Sequence, residues 1–223
     1  MKVLIFGASG MIGRGVLLEC LDHDSIEEVF CIVRRPTNES HPKYREIVHS
    51  DFKDYSEIAD KLKGFDACYF CLGVSAAGLS EEKYTEITYR YTLEAAKTLY
   101  SLNPDMTFTY VSGVGTDSSE KGRQMWARVK GKTENDLMSL GFKKAIMFRP
   151  GLIFPKRGIE SRTALYRFFY RYFMWLFRLI ALISPNSTTN TIKIGKAMIN
   201  APEHGIDQSI LDPHGINKLS EQS

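Results

Sequence analysis

The chain is poor in the residues that build metal centres and covalent scaffolds. Its five histidines, His23, His41, His49, His204 and His214, are scattered, and none has a partner at metal-ligand or triad spacing. No metal is assigned. The four cysteines, Cys20, Cys31, Cys68 and Cys71, sit in apolar stretches. Cys68 and Cys71 are formally a C-x-x-C pair, but their odd separation on a strand sends them to opposite faces. With no second pair beside them, all four read as buried, reduced thiols of a cytoplasmic protein. Strong charge is also lacking: a net charge of +3 is too small to point to nucleic acid. An apolar strand begins at the second residue, which leaves no room for a signal peptide and fits the same cytoplasmic expectation. There is no solenoid-type repeat and no low-complexity tract.

What is present is an ordinary globular balance, 43% hydrophobic and 25% charged over 223 residues, the size of one domain. Strand and helix patterns alternate through the first two thirds. Strands are expected at 2–6, 29–33, 46–49, 67–72, 106–111 and 144–148, each a nearly continuous apolar run. Helices are expected after the first strand, at 56–62, at 80–100 with Ser80 as cap, and at 121–140 closed by Gly141. Strands separated by helices, with both faces apolar, specify an α/β fold with a doubly wound parallel sheet. Residues 152–223 are less regular and read as a small substrate or oligomer region over the carboxyl ends of the strands.

The most specific motif is at the start. The strand Lys2-Val-Leu-Ile-Phe6 runs directly into Gly7-Ala-Ser-Gly-Met-Ile-Gly13-Arg14, and an apolar helix follows. In a Rossmann unit the first glycine makes the tight turn, the second lets backbone approach a pyrophosphate, and the third brings helix and strand together. The N–H groups of Ser9 to Gly13 and the positive end of the helix dipole then meet the phosphates. Gly7, Ser9, Gly10, Met11, Ile12, Gly13 and Arg14 are therefore candidate cofactor contacts. A site that prefers NAD places an acid about 20 residues beyond the glycines to accept from the ribose 2′-hydroxyl. Here Arg34 stands 21 positions after Gly13, followed by Arg35. A guanidinium there suits a 2′-phosphate, with Arg14 near enough to join it, so the expected cofactor is NADP(H) rather than NAD. Asp51 is expected at the adenine amino group, and Cys71-Leu72-Gly73 against the adenine ribose.

The glycine turn, the arginines after the second strand, Asp51, the Cys-Leu-Gly turn, Ser112-Gly113, Lys130 within Val-Lys-Gly-Lys-Thr-Glu, and Arg149-Pro150-Gly151 together resemble the atypical short-chain dehydrogenase/reductases. The likeness is to the Tat-interacting-protein and nucleoside-diphosphate-sugar-epimerase-like subgroup. It covers essentially the whole chain, including Ile194-Gly-Lys-Ala-Met-Ile199. It implies a Rossmann fold, NADP(H) binding with Pro150 among the contacts, and an oxidoreductase or epimerase-like activity on a small carbonyl or alcohol substrate. It also implies a catalytic Ser, Tyr and Lys. Ser112 matches the serine that polarises the substrate oxygen, and Lys130 the lysine that holds the nicotinamide ribose. The tyrosine position is Trp126, whose indole N–H donates but does not titrate. No tyrosine lies between Tyr110 and Tyr166, and Tyr110 reads as core. A replacement acid would be Tyr84, Tyr89, Tyr91 or a substrate-bound water. The alternative is a non-catalytic, NADPH-sensing or partner-binding protein.

The segment 165–183 is aromatic and aliphatic except for Arg167, Arg171 and Arg178, which share one helical stripe. Its longest apolar run is six residues, too short to span a membrane. A core, substrate-pocket or oligomer-contact helix, such as a homodimer would use, is the reading of choice, with a membrane-surface helix as the rival.

Overall fold

The computed structural model describes residues 1–159, 187–204 and 208–222. The chain alternates strand and helix: β1 (Lys2–Phe6), α1 (Met11–Asp22), β2 (Glu28–Val33), β3 (Tyr44–Val48), a 3₁₀ helix (Ser56–Leu62) and β4 (Ala67–Phe70). Next come α2 (Glu81–Thr85), a π-helical turn (Glu86–Arg90), α3 (Tyr91–Leu102), β5 (Thr107–Val111), α4 (Met125–Met138) and β6 (Lys144–Phe148). The last part holds β7 (Leu152–Phe154), β8 (Thr188–Asn190), α5 (Thr191–Asn200), β9 (Ile210–Leu211) and α6 (Pro213–Leu219).

Seven strands form one parallel sheet in the order β3-β2-β1-β4-β5-β6-β9, the doubly wound arrangement that the apolar runs anticipate. Alternate side chains of β1 enter two different cores. Val3 and Ile5 join Val16, Leu17 and Cys20 of α1, while Leu4 and Phe6 join Tyr55, Leu93 and Leu99 on the other face. Each such fully buried side chain stabilises the fold by about 1.5–3 kcal/mol. Cys68 and Cys71 fall on opposite faces, as their spacing predicts. The chain winds outward from β1 in one direction and from β4 in the other. The order reverses between them, which opens a crevice at their carboxyl ends.

Two regions depart from the sequence reading. The stretch beyond residue 152 does more than cover the strand ends. Its β9 is the seventh strand, and Ile194, Ala197, Met198 and Ile199 of α5 lie in the same core as Val3. Helices α5 and α1 meet through small residues: a Cβ on Gly15 would stand 2.7 Å from the Thr191 Cβ, and one on Gly195 2.6 Å from the Glu19 Cγ. The helix expected from 121 begins only at Met125, because Asp117 organises the residues before it. Its carboxylate accepts from the N–H groups of Ser119 (3.0 Å) and Gly122 (2.6 Å). The segment 165–183 lies outside the described residues, and with it the pocket, dimer and membrane readings of that stretch.

Candidate functional site

The Gly7–Gly13 turn lies at the crevice. Gly7 has φ +78°, and a Cβ there would press to 2.7 Å from the Leu72 N in the turn after β4. Gly13 is held closer still, with a notional Cβ 2.2 Å from the Gly7 carbonyl oxygen. The chain's own packing therefore requires both. Gly10 differs: its Cβ would meet only the Gly7 oxygen, at an ordinary 3.4 Å. It is the N-cap of α1, where no side chain caps the helix and no acid stands in the first turn. A helix start left open in this way is an anion site, and a side chain on Gly10 would stand in its approach. The residues present therefore fit a dinucleotide pyrophosphate.

The loop after β2 carries the candidate 2′-phosphate readers. Arg34 and Arg35 are exposed, and among the described residues neither makes an ion pair. Arg14 is instead paired with Glu39 on the same loop. A knot shapes this loop: the Thr37 N–H donates to Glu46 at 3.0 Å and the Tyr44 hydroxyl to Glu46 at 2.8 Å. Asp51 is exposed and accepts from the Lys53 N–H at 2.9 Å. Its loop is held from beneath by buried His49, whose Nε2 contacts the carbonyl oxygens of Asp51 (2.6 Å) and Asp54 (2.9 Å). Cys71 and Leu72 are half-buried beside the turn, and Gly73 is exposed, with room for a Cβ.

At the other end of the crevice, past β5 and β6, the polar groups face one another. The Ser112 hydroxyl donates to Glu134 and, at 3.2 Å, to the Phe148 carbonyl oxygen. Glu134 is wholly buried and ion-paired with Arg149, whose Nε lies 3.1 Å from each carboxylate oxygen. Arg149 also donates to the Ser118 hydroxyl at 2.6 Å. Lys130 Nζ donates to the Ser112 carbonyl oxygen at 2.5 Å. Burial brings its pKa down to about 8, against the opposing pull of the Glu134 charge. Trp126 donates its indole N–H to Gln124 at 2.7 Å and lays its ring by Gly115, whose notional Cβ lies 3.2 Å away. Pro150 is buried, with its carbonyl accepting from the Val114 N–H at 3.1 Å.

The family model of the NAD dependent epimerase/dehydratase family matches residues 3–123, more than half of the chain. The chain belongs to this family. It is 29% identical to Protein HTATIP2 of Rattus norvegicus over 163 residues, 72% of this chain and 66% of that protein. It is 29% identical to Protein FMP52, mitochondrial, of Debaryomyces hansenii over 159 residues, 70% of this chain and 69% of that protein. A solved structure of a UDP-glucose 4-epimerase from Thermotoga maritima superposes with a TM-score of 0.69 over 95% of this chain and 76% of that one, at 12% identity. At that identity the likeness speaks for the fold. The names of the fungal relatives overturn the expected cytoplasmic location, since they are called mitochondrial proteins.

Site residues expected from the sequence thus fall into two groups. The glycine turn, Arg34 and Arg35, Asp51, and Cys71, Leu72 and Gly73 lie on the segments that follow β1, β2, β3 and β4 in turn, and Gly7 packs against Cys71 and Leu72. Lys130 and Ser112 also meet, but through the serine's carbonyl, with its hydroxyl turned toward Glu134. The tyrosines named as substitute acids are engaged elsewhere. Tyr84 is buried, Tyr89 donates to Asp136 at 2.7 Å, and Tyr91 stacks on Phe52. Glu134 and Arg149 had escaped notice as a pair. The signal for them was a glutamate four residues after Lys130, among the buried positions of α4.

Proposed function

We propose that the chain binds NADP(H) in the crevice between the β1 and β4 ends and uses it on a small carbonyl or alcohol substrate. The observation that carries this reading is Gly10. It is the one glycine of the turn that the chain's own packing leaves room to replace, and it stands at an uncapped helix start. The backbone of Ser9 to Gly13 receives the pyrophosphate, Asp51 the adenine, and Leu72 and Gly73 the adenine ribose. Arg34 and Arg35, with Arg14, take the 2′-phosphate. Lys130 holds the nicotinamide ribose. When bound, the nicotinamide supplies or accepts a hydride.

Proton transfer follows a different course from the Ser–Tyr pair of the wider family, because Trp126 does not titrate and the Ser112 hydroxyl is committed to Glu134. Lys130, which donates to the Ser112 carbonyl oxygen and whose pKa burial lowers to about 8, is one titratable group at this end of the crevice. The same two features favour a second reading, a protein that binds NADPH and signals through it without turnover.

NADPH and NADH titrations, read by cofactor fluorescence and thermal shift, test the proposal on wild type and Arg34→Ala. NADPH binding is expected to weaken roughly tenfold in the variant, with NADH unaffected, as for loss of a charge-assisted hydrogen bond. Failure of wild type to bind either dinucleotide overturns the proposal. Binding without turnover across a carbonyl and alcohol panel selects the second reading.

A further inference from the structure

Arg14 follows the third glycine of the turn, and its guanidinium is already taken. Nη1 is ion-paired with a Glu39 carboxylate oxygen, and both side chains are about two-thirds or more removed from solvent (36% and 25% exposed). The pair ties α1, which carries Arg14, to the loop between β2 and β3, which carries Glu39. Glu39 is not loosely placed. Its own N–H bonds the Thr37 hydroxyl at 3.3 Å, and Thr37 is tied through its backbone to Glu46. The loop therefore presents two exposed arginines, Arg34 and Arg35, and one carboxylate that answers the third.

We infer that Glu39 is a built-in counter-anion that occupies the phosphate-binding side of Arg14 and sets how strongly the site prefers a 2′-phosphorylated ribose. The inference rests on the dinucleotide reading above. A phosphate dianion that reaches Arg14 meets the Glu39 carboxylate in like-charge contact, so it must displace that carboxylate or tolerate the repulsion. An unphosphorylated ribose carries no charge and leaves the pair intact. Glu39 thus lowers the affinity for the phosphorylated cofactor alone. Because the pair is partly exposed, salt weakens the effect.

Adenosine 2′,5′-bisphosphate and 5′-AMP are suitable probes, since they differ only in the 2′-phosphate and need no turnover. Binding is measured by calorimetry beside NADPH and NADH, on wild type, Glu39→Gln, Arg14→Gln and the double variant. Glu39→Gln preserves shape and the backbone bond to Thr37. It is expected to bind the bisphosphate and NADPH more tightly, by up to about fivefold, as for release of one exposed ion pair. 5′-AMP and NADH stay unchanged. In the Arg14→Gln background, Glu39→Gln adds little, because the coupling runs through that arginine. Unchanged bisphosphate affinity in Glu39→Gln overturns the inference. So does weaker 5′-AMP and NADH binding, which would make Glu39 an acceptor for the ribose hydroxyl. If wild type binds neither dinucleotide, the dinucleotide reading falls and takes the inference with it. Dinucleotide binding that is indifferent to Glu39 removes the inference alone.

Discussion

At the Gly7–Gly13 end of the crevice the ligand-binding groups are backbone N–H groups at a helix start that no side chain caps. At the Ser112–Lys130 end the polar groups are side chains, and they already satisfy one another: Ser112 on Glu134, Glu134 on Arg149, Lys130 on the Ser112 carbonyl. The first end is open, uncapped by any side chain. The second is closed by these pairings.

The sharpest way to break the closed end is Arg149→Met. It leaves Glu134, wholly buried, without its ion-pair partner. Breaking one side of a buried pair costs about 3–5 kcal/mol. For a chain of this length the melting temperature should fall by roughly 10 °C, read by calorimetry. Exchanging both partners at once, Glu134→Gln with Arg149→Met, should recover much of that loss. A single variant as stable as wild type would show that the pair contributes no net stability.

Next in size are two glycines that separate architecture from binding at the open end. Gly13→Ala forces a methyl group to within 2.2 Å of the Gly7 oxygen, a backbone atom that cannot give way without moving the turn. Overpacking of this kind costs about 1–3 kcal/mol. Gly10→Ala meets nothing closer than 3.4 Å and should leave the melting temperature nearly unchanged, while NADPH binding is lost or strongly weakened. Equal destabilisation by the two changes would mean that Gly10 serves the fold and not a ligand.

The open end was also the legible one. Three glycines at fixed spacing after an apolar strand specify backbone geometry by themselves, because only glycine takes φ +78° at Gly7 without strain and only glycine fits under the Gly7 carbonyl at position 13. β1, β5 and β6 came out within one residue of expectation for a related reason: a strand buried on both faces leaves an unbroken apolar run. The closed end was not legible, because its pairing joins residues on different elements. Lys130 and Glu134 are neighbours on α4, but Arg149 and Ser112 arrive from two strands, and no local pattern announces a buried charge pair. β9 was missed for the opposite reason. Two residues, Ile210 and Leu211, become a strand only because β6 offers an edge. The π turn at Glu86–Arg90 also had no local herald; Thr92 donates to the Thr88 carbonyl there at 2.7 Å.

A smaller effect distinguishes the ends by pH. Burial holds Lys130 near pKa 8, below the ordinary lysine value of about 10.4. Between those two values the unfolded chain carries the proton and the folded chain does not. Stability therefore rises with pH across that window, and the penalty for charging Lys130 is fully present below it. Relative to wild type, Lys130→Met should flatten this part of the stability curve. If Lys130 holds the nicotinamide ribose as a cation, NADPH affinity falls as pH rises through 8, whereas 5′-AMP, which reaches only the open end, shows no such step. A parallel pH dependence for both ligands would place the effect elsewhere.

The smallest expected change is the one that the sequence alone would rank first. Trp126→Tyr restores a phenol four residues before Lys130, and a well-placed acid contributes about 10²–10⁴-fold to such reactions. In this chain the gain should stop well short of that. A phenol at 126 would still have to work with a serine whose hydroxyl is held by Glu134 and the Phe148 carbonyl. The half of the pair that orients the substrate oxygen remains absent. Turnover of small aldehydes and ketones, followed by NADPH oxidation, measures this directly. A modest gain that grows when Glu134→Gln is added would show that the serine's commitment to Glu134 holds the site shut. A full gain from Trp126→Tyr alone would mean that the Ser112 hydroxyl leaves Glu134 once substrate is bound, and that the closed end opens on demand.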